Sequence, residues 1–359
     1  MNNRRKNAYL QTGQITCHDA DGRDITCGGS GQDGELQLGA VWPEPRFETE
    51  EDTVIDLLTG LIWPLNANLA EFPLSWQEAL DYISEMNCDL LLGYDDWRLP
   101  NRRELRSLIS HQTRRPALPV NHPFINVFLN WYWSSTTAVI NPSHAWYVNM
   151  DGGRMFYGGK DQSFMLWPVR GQGNGVLSAT GQIACYNETG DVIDCAETGQ
   201  DGEYSSGRFC CSPRFEVDQK GVADKLNNLC WRQAADLCGP VSWQKALAEV
   251  EQMNQSGDLP YWRLPNINEL ESLIDCATHS PALTLGHPFD SLQDIYWSST
   301  TSLYEPDWAW ALYLDKGAVG VGMKMHAKFH VWAVRDISKE PLINSGRSSL
   351  RSKIFRFEA

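Results

Sequence analysis

The chain has 359 residues, of which 42% are hydrophobic and 21% charged, enough to bury a core and, at ordinary domain sizes, to form two domains. Asp plus Glu outnumber Lys plus Arg by 45 to 30, a net charge of −15, which argues against a general nucleic-acid binder and against electrostatic capture by anionic membrane. No apolar run reaches the roughly 18 residues a membrane span needs, so no membrane insertion is expected.

The opening stretch, MNNRRKNAYLQTG, carries positive charge without the apolar segment of a signal peptide. The next signal is a repeat. TGQITC at 12–17 returns as TGQIAC at 180–185, GQDGE at 31–35 returns at 199–203, and PRFE at 45–48 returns at 213–216. SWQEAL at 75–80 returns as SWQKAL at 242–247, and WRLPNRRELRSLI at 97–109 as WRLPNINELESLI at 262–274. YWSSTT recurs at 132–137 and 296–301, and WPVR at 167–170 becomes WAVR at 332–335. Collinear matches of this number mean one unit used twice. We divide the chain into a first unit, 1–172, a second, 173–336, and a basic tail, 337–359, with Gly-rich GQGNGVLSA at 171–179 as the linker. The tail has no counterpart in the first unit and reads as an extension or docking segment.

In chain order, each unit opens with a Cys pair nine residues apart, Cys17 with Cys27 and Cys185 with Cys195. Asp21-Gly22 and Thr189-Gly190 between them are turn signals, so each is a hairpin that a disulfide can tie. Asp19, Asp21 and Asp24 fall short of a calcium loop, because the distal Glu is missing and the second copy does not repeat them. No cofactor is expected; calcium stays open without a ligand motif behind it. Ser75 to Glu78 forms a capping box, followed by apolar Trp76, Ala79, Leu80, Ile83 and Met86 at helical spacing. A second helix follows the Asn101 cap, with Leu105, Leu108 and Ile109 as its stripe. Both recur after Ser242 and Asn266. YWSSTT, then AWYVNM or AWALYL, then WPVR or WAVR alternate like short antiparallel strands, giving an α+β unit.

The order GLIW at 60–63, the SWQEAL helix, WRLPNRRELRSLI, YWSSTT and PVRG at 168–171 resembles the Lcl C-terminal domain family over about 42–171 and 210–335. That resemblance implies a fold similar to C-type lectins and to the formylglycine-generating enzymes, and an association with bacterial surface and secreted proteins in adhesion or glycan binding. The second copy departs from the pattern, with NLCW at 228–231 and AVRD at 333–336.

Ten Cys are few for a disulfide scaffold and many for a reducing compartment. Cys230 and Cys238 flank a seven-residue loop and are a third candidate pair; Cys88, Cys210, Cys211 and Cys276 are left without assigned connectivity. An oxidising location is therefore expected: extracellular, cell-surface or periplasmic, with the cytoplasm still open. Fifteen Trp, roughly three times ordinary usage, offer both core volume and stacking faces. Trp63, Trp97, Trp133, Trp231, Trp262 and Trp297 sit in regular elements and read as core.

No GxSxG, HExxH or Walker sequence is present, so a non-enzymatic binding protein is expected, with recognition on loops. In the first unit the candidates are Asn141, Ser143 and His144, then Arg154, Phe156, Tyr157 and Lys160. In the second they are Tyr304, Glu305, Asp307 and Trp308, a turn with two carboxylates and two aromatics suited to a sugar ring. The expected partner is a glycan or a protein surface, with an oligomer possible. The alternatives are a structural part of a cell-surface or phage assembly, and a thiol-dependent oxidase of formylglycine-generating type working through Cys276 or Cys210-Cys211.

Overall fold

The structure is a computed structural model that describes residues 9–219, 221–255 and 261–337. The tail expected at 337–359 lies, beyond Ile337, outside the described residues.

The first hairpin is β1 (Cys17–His18) and β2 (Asp24–Ile25), tied by a Cys17–Cys27 disulfide and followed by a single-turn helix α1 (Asp33–Leu36). Next come the strands β3 (Phe47–Glu50), β4 (Thr53–Asp56) and β5 (Leu61–Pro64), a three-stranded antiparallel sheet. Helix α2 (Trp76–Cys88) starts at the Ser75 to Glu78 capping box and buries Trp76, Ala79, Leu80, Ile83 and Met86. Helix α3 (Arg102–Ser107) starts at Asn101, whose side chain accepts from the Arg103 and Glu104 backbone N–H groups. It stops sooner than its apolar stripe suggests. A meander of β6 (Trp131–Thr137), β7 (His144–Asn149) and β8 (Met155–Gly159) completes the unit.

The second unit repeats this order. It has β9 (Cys185–Tyr186), β10 (Val192–Ile193) and α4 (Asp201–Tyr204), with a Cys185–Cys195 disulfide. Then come β11 (Phe215–Asp218), β12 (Gly221–Asp224), β13 (Leu229–Trp231), α5 (Trp243–Gln255) and α6 (Ile267–Ser272). The meander is β14 (Ile295–Thr301), β15 (Trp308–Tyr313) and β16 (Ala318–Met323), and a final β17 (Val334–Asp336) pairs with β13. The α+β class and the disulfide-tied hairpins agree with the sequence reading; α1 and α4, coded by DGEL and DGEY, are additions to it.

The two units share one sheet. Strands run in the order β14-β15-β16-β8-β7-β6, with Val319 of β16 opposite Met155 of β8. Their interiors form one continuous hydrophobic core containing Trp63, Trp146 and Trp167 with Trp231, Trp310 and Trp332. Smaller clusters lie under α2 and α5. Trp63, Trp76, Trp97, Trp133 and Trp297 are fully buried, so most of the tryptophan excess fills the core; Trp262 is only half-buried.

The hairpins are exchanged. The first hairpin docks on the second unit: Thr300 Oγ1 donates to Asp33 Oδ2 at 2.7 Å, and Gln14 and Thr301 exchange two side-chain-to-backbone bonds at 2.8 and 2.9 Å. The second hairpin docks on the first unit through Thr136 and Asp201, at 2.7 Å, and through Thr137 and Gln182, at 2.8 and 2.9 Å. The sequence reading grouped each hairpin with the unit that follows it, because order along the chain carries no information about which neighbour a short element covers.

Cys230 and Cys238 do not pair. Cys230 faces the interior from β13 and Cys238 is exposed, so the loop between them places one thiol on each side of the surface. Cys88, Cys210, Cys211 and Cys276 form no disulfide among the described residues.

Candidate functional site

The recognition loops expected from the sequence sit where hairpin meets unit and where unit meets unit. Lys160 is 1% exposed, with its ammonium donating to the Tyr186 and Asn187 carbonyls at 3.0 and 3.1 Å and lying 4.0 Å from the Trp76 ring centre. It fastens the second hairpin and faces no solvent. Desolvation pushes its ammonium down to about 7. Its twin Lys324, which the sequence reading passed over, binds the His18 and Asp19 carbonyls and is likewise pushed down to about 7.

Tyr304 and Glu305 reach across to the first unit. Arg115 donates to the Tyr304 hydroxyl at 2.7 Å and to Asp151 at 2.9 Å, and Arg154 lies 3.7 Å from Glu305 and beneath the Tyr304 ring. Asp307 is pressed against the first hairpin's turn: Gly22, at φ +82°, approaches so closely that a Cβ there would sit 2.8 Å from the Asp307 nitrogen. Gly190 meets Ser143 in the same way. Asn141 stays exposed and accepts from Ser143 Oγ, which lies 3.1 Å from His144 Nδ1. Tyr157 is half-buried, stacked on exposed Phe156 and edge-on to Trp146. Trp308 is half-buried at the start of β15. These residues therefore form no single site.

The open concave surfaces lie elsewhere, as twin grooves between each long helix and the exchanged hairpin. The first, about 600 Å³, runs between α2 and the α4 region. Gln77, Asp81 and Ser84 line one wall and Glu197, Gln200 and Tyr204 the other, with Leu80, Ile83 and Trp97 as the floor. Tyr204 is 44% exposed, and the Arg98 guanidinium lies 5.9 Å from its ring centre while holding Glu104 with two bonds at 2.6 and 2.7 Å. The second groove, about 490 Å³, runs between α5 and α1 and is lined by Glu35, Glu251, Tyr261, Trp262 and Arg263, with Leu247 and Val250 below. Tyr261 is half-exposed, and Arg263 repeats the paired geometry with Glu269.

Several of these polar groups are already engaged. Glu203 and Glu35, at matching positions, accept backbone N–H bonds that close the loops after each Cys27-type turn, and Gln200 is bonded to the Tyr186 backbone. In the first groove Asp81 accepts from Gln77 Nε2 at 2.9 Å, and Ser84, Glu197 and Tyr204 line the walls beside it; in the second, Glu251 accepts from the Tyr261 hydroxyl and from Gln255 Nε2, both at 3.4 Å. The aromatic platform differs between the two, coming from the hairpin in the first and from the segment before α6 in the second. The sequence signal for these grooves was the GQDGE repeat, which marks α1 and α4; periodicity alone could not say that these one-turn helices face another unit's helix.

The surroundings of the candidate thiols disfavour the thiolate. Burial pushes Cys276 up to about 11, and burial with its neighbour Cys211 does the same for Cys210. Among the described residues no group of three or more His, Cys, Asp or Glu side chains is placed to hold a metal, and no helix is long and apolar enough to cross a membrane. The profile described as the Lcl C-terminal domain matches residues 52–170 and 220–335. No curated protein matches the chain.

Proposed function

As the chain belongs to the Lcl C-terminal domain family and carries that domain twice, we propose that it is a non-enzymatic binding protein that takes a neutral, hydroxyl-rich ligand such as a polysaccharide in its twin grooves. The observation that carries this reading is the pairing, in each groove, of a half-exposed tyrosine with carboxylates over an apolar floor, Asp81 and Glu197 beside Tyr204 in the first and Glu251 beside Tyr261 in the second. Tyrosine presents a flat apolar face to a sugar ring, and carboxylates accept from its hydroxyls. Asp81, Glu197, Glu251 and the net charge of −15 disfavour sulfated polyanions. Two disulfides in exchanged hairpins support an oxidising, exported location.

A neutral-glycan array followed by calorimetry on the best ligand tests this. Tyr204→Ala and Tyr261→Ala are each expected to weaken binding about tenfold at their own groove, the scale of an aromatic anchor. A heparin-like polymer should not bind at physiological salt. Binding that survives loss of both tyrosines, or an array with no neutral ligand, overturns the reading.

A further inference from the structure

Helices α3 and α6 meet at the junction between units, and there the two copies of the repeat differ in charge. The first carries Arg102, Arg103 and Arg106; at the matching positions the second carries Ile267, Asn268 and Glu271. The three arginines are 0%, 6% and 5% exposed. Glu271 lies 3.4 Å from Arg102 Nη2 and 3.6 Å from Arg103 Nε. Arg103 further donates to Ser178 and to the Ala179 and Ile274 carbonyls, and Arg106 Nη2 donates to Asn268 Oδ1 at 3.2 Å and faces His111 Nε2 at 3.4 Å. The neighbouring carboxylates are taken: Asp56 by Arg46, Asp224 by Arg214, Glu104 by Arg98 and Glu269 by Arg263.

Five buried guanidinium nitrogens are left without an acceptor: Nε and Nη1 of Arg102, Nε of Arg103, and Nε and Nη1 of Arg106. Arg102 lies 4.0 Å from the Trp146 ring centre and donates to the Gly317 carbonyl, whereas Arg103 and Arg106 have Glu271 as their one neighbouring carboxylate. An uncompensated buried charge is strongly destabilising unless something meets it. Arg103 and Arg106 also line a cavity of about 40 Å³ with Ser178, Asn268 and Ser272, and Glu271 is the single carboxylate on its wall. A water needs about 10–15 Å³ of such space, so this small, partly open pocket has room for a small ion with a water or two.

We propose that this cavity at the junction of the two units binds a chloride-sized anion, held by Arg103 and Arg106. The ion completes the interface, and it is a separate matter from what the grooves hold. Burial lowers the Arg106 guanidinium to about 10, which leaves it charged at neutral pH.

The test compares sodium chloride or bromide with sodium gluconate, whose anion is too large for the cavity, at equal ionic strength. Chloride should raise the melting temperature saturably by about 3–6 °C and broaden the chlorine-35 resonance. Arg106→Gln should abolish both effects. Should that variant fail to fold, Asn268→Asp places a carboxylate beside Arg106 and should remove the chloride dependence while raising the melting temperature in gluconate. Equal melting temperatures in the two salts with no line broadening, or a chloride dependence that persists in Asn268→Asp, overturn the proposal.

Discussion

Asp33 and Asp201 are the residues on which the exchanged hairpins turn. Each is fully buried, accepts from two threonines at 2.7 Å, and is pushed by desolvation up to about 6 from an ordinary 3.8. The threonines also link them to the helices, because Thr136 accepts from the Arg102 N–H and Thr300 from the Ile267 N–H. Lys160 and Lys324 hold the same hairpins with folded values of about 7 against an ordinary 10.5. The signs are opposite. Between 3.8 and about 6 the folded state binds more protons through the two aspartates, so hairpin docking weakens as pH rises. Between about 7 and 10.5 the unfolded state binds more through the two lysines, so docking strengthens as pH rises. Amide exchange at Gln14, Cys17, Gln182 and Cys185 should therefore be least protected near pH 6–7. Asp33→Asn with Asp201→Asn should erase the acid limb and spare the alkaline one; a protection maximum at neutral pH would contradict this account.

The hairpin is a weak element on its own, with two-residue strands and exposed Asp24, Ile25, Val192 and Ile193. A hairpin of that size does not hold itself together in water. Its order comes from the disulfide and from the surface it covers. Cys27→Ser opens a loop of ten residues, and the loss should be about 2–3 kcal/mol in urea unfolding, since so short a loop gives up little closure entropy. The exchange of bonds between Gln14 and Thr301 predicts that amide protection falls in the second unit, far along the chain, as well as at His111, which the segment leading into the hairpin also bonds. Loss of protection confined to residues 53–64 would refute the exchanged arrangement. The cysteine spacing and the Asp21-Gly22 turn made the hairpin itself legible, as the capping boxes did for α2 and α3. From the sequence, Lys160 after a Gly-rich turn reads as solvent-facing; only the carbonyls of Tyr186 and Asn187, brought in from the next repeat, explain its burial.

Across the whole molecule, the units depend on each other through the exchanged hairpins, the six-stranded sheet and a common core. Separately produced fragments 1–172 and 173–359 should therefore purify together as a 1:1 complex when coexpressed, checked by light scattering after size exclusion. Fragment 1–172 alone should not form a tight symmetric dimer. Such a dimer would bring two sets of Arg102, Arg103 and Arg106 together with no Glu271 between them. A stable homodimer of that fragment at micromolar concentration would speak against this arrangement.

What the sequence determined by itself was local and periodic. The duplication, the capped helices, the tied hairpins, the meander and the α+β class all follow from residue spacing within a few turns of chain. The tertiary structure decided which copy each hairpin covers, that two meanders close into one sheet, and that the grooves lie between elements of different repeats. The physical reason is that the two copies present nearly the same surfaces, so each hairpin has two chemically similar docking places. What differs is the chain leading into each hairpin, bonded at Ser178 and Ala179 by Arg103 of α3 and at Leu10 by Asn268 of α6, and neither contact is visible in the pattern of a single repeat.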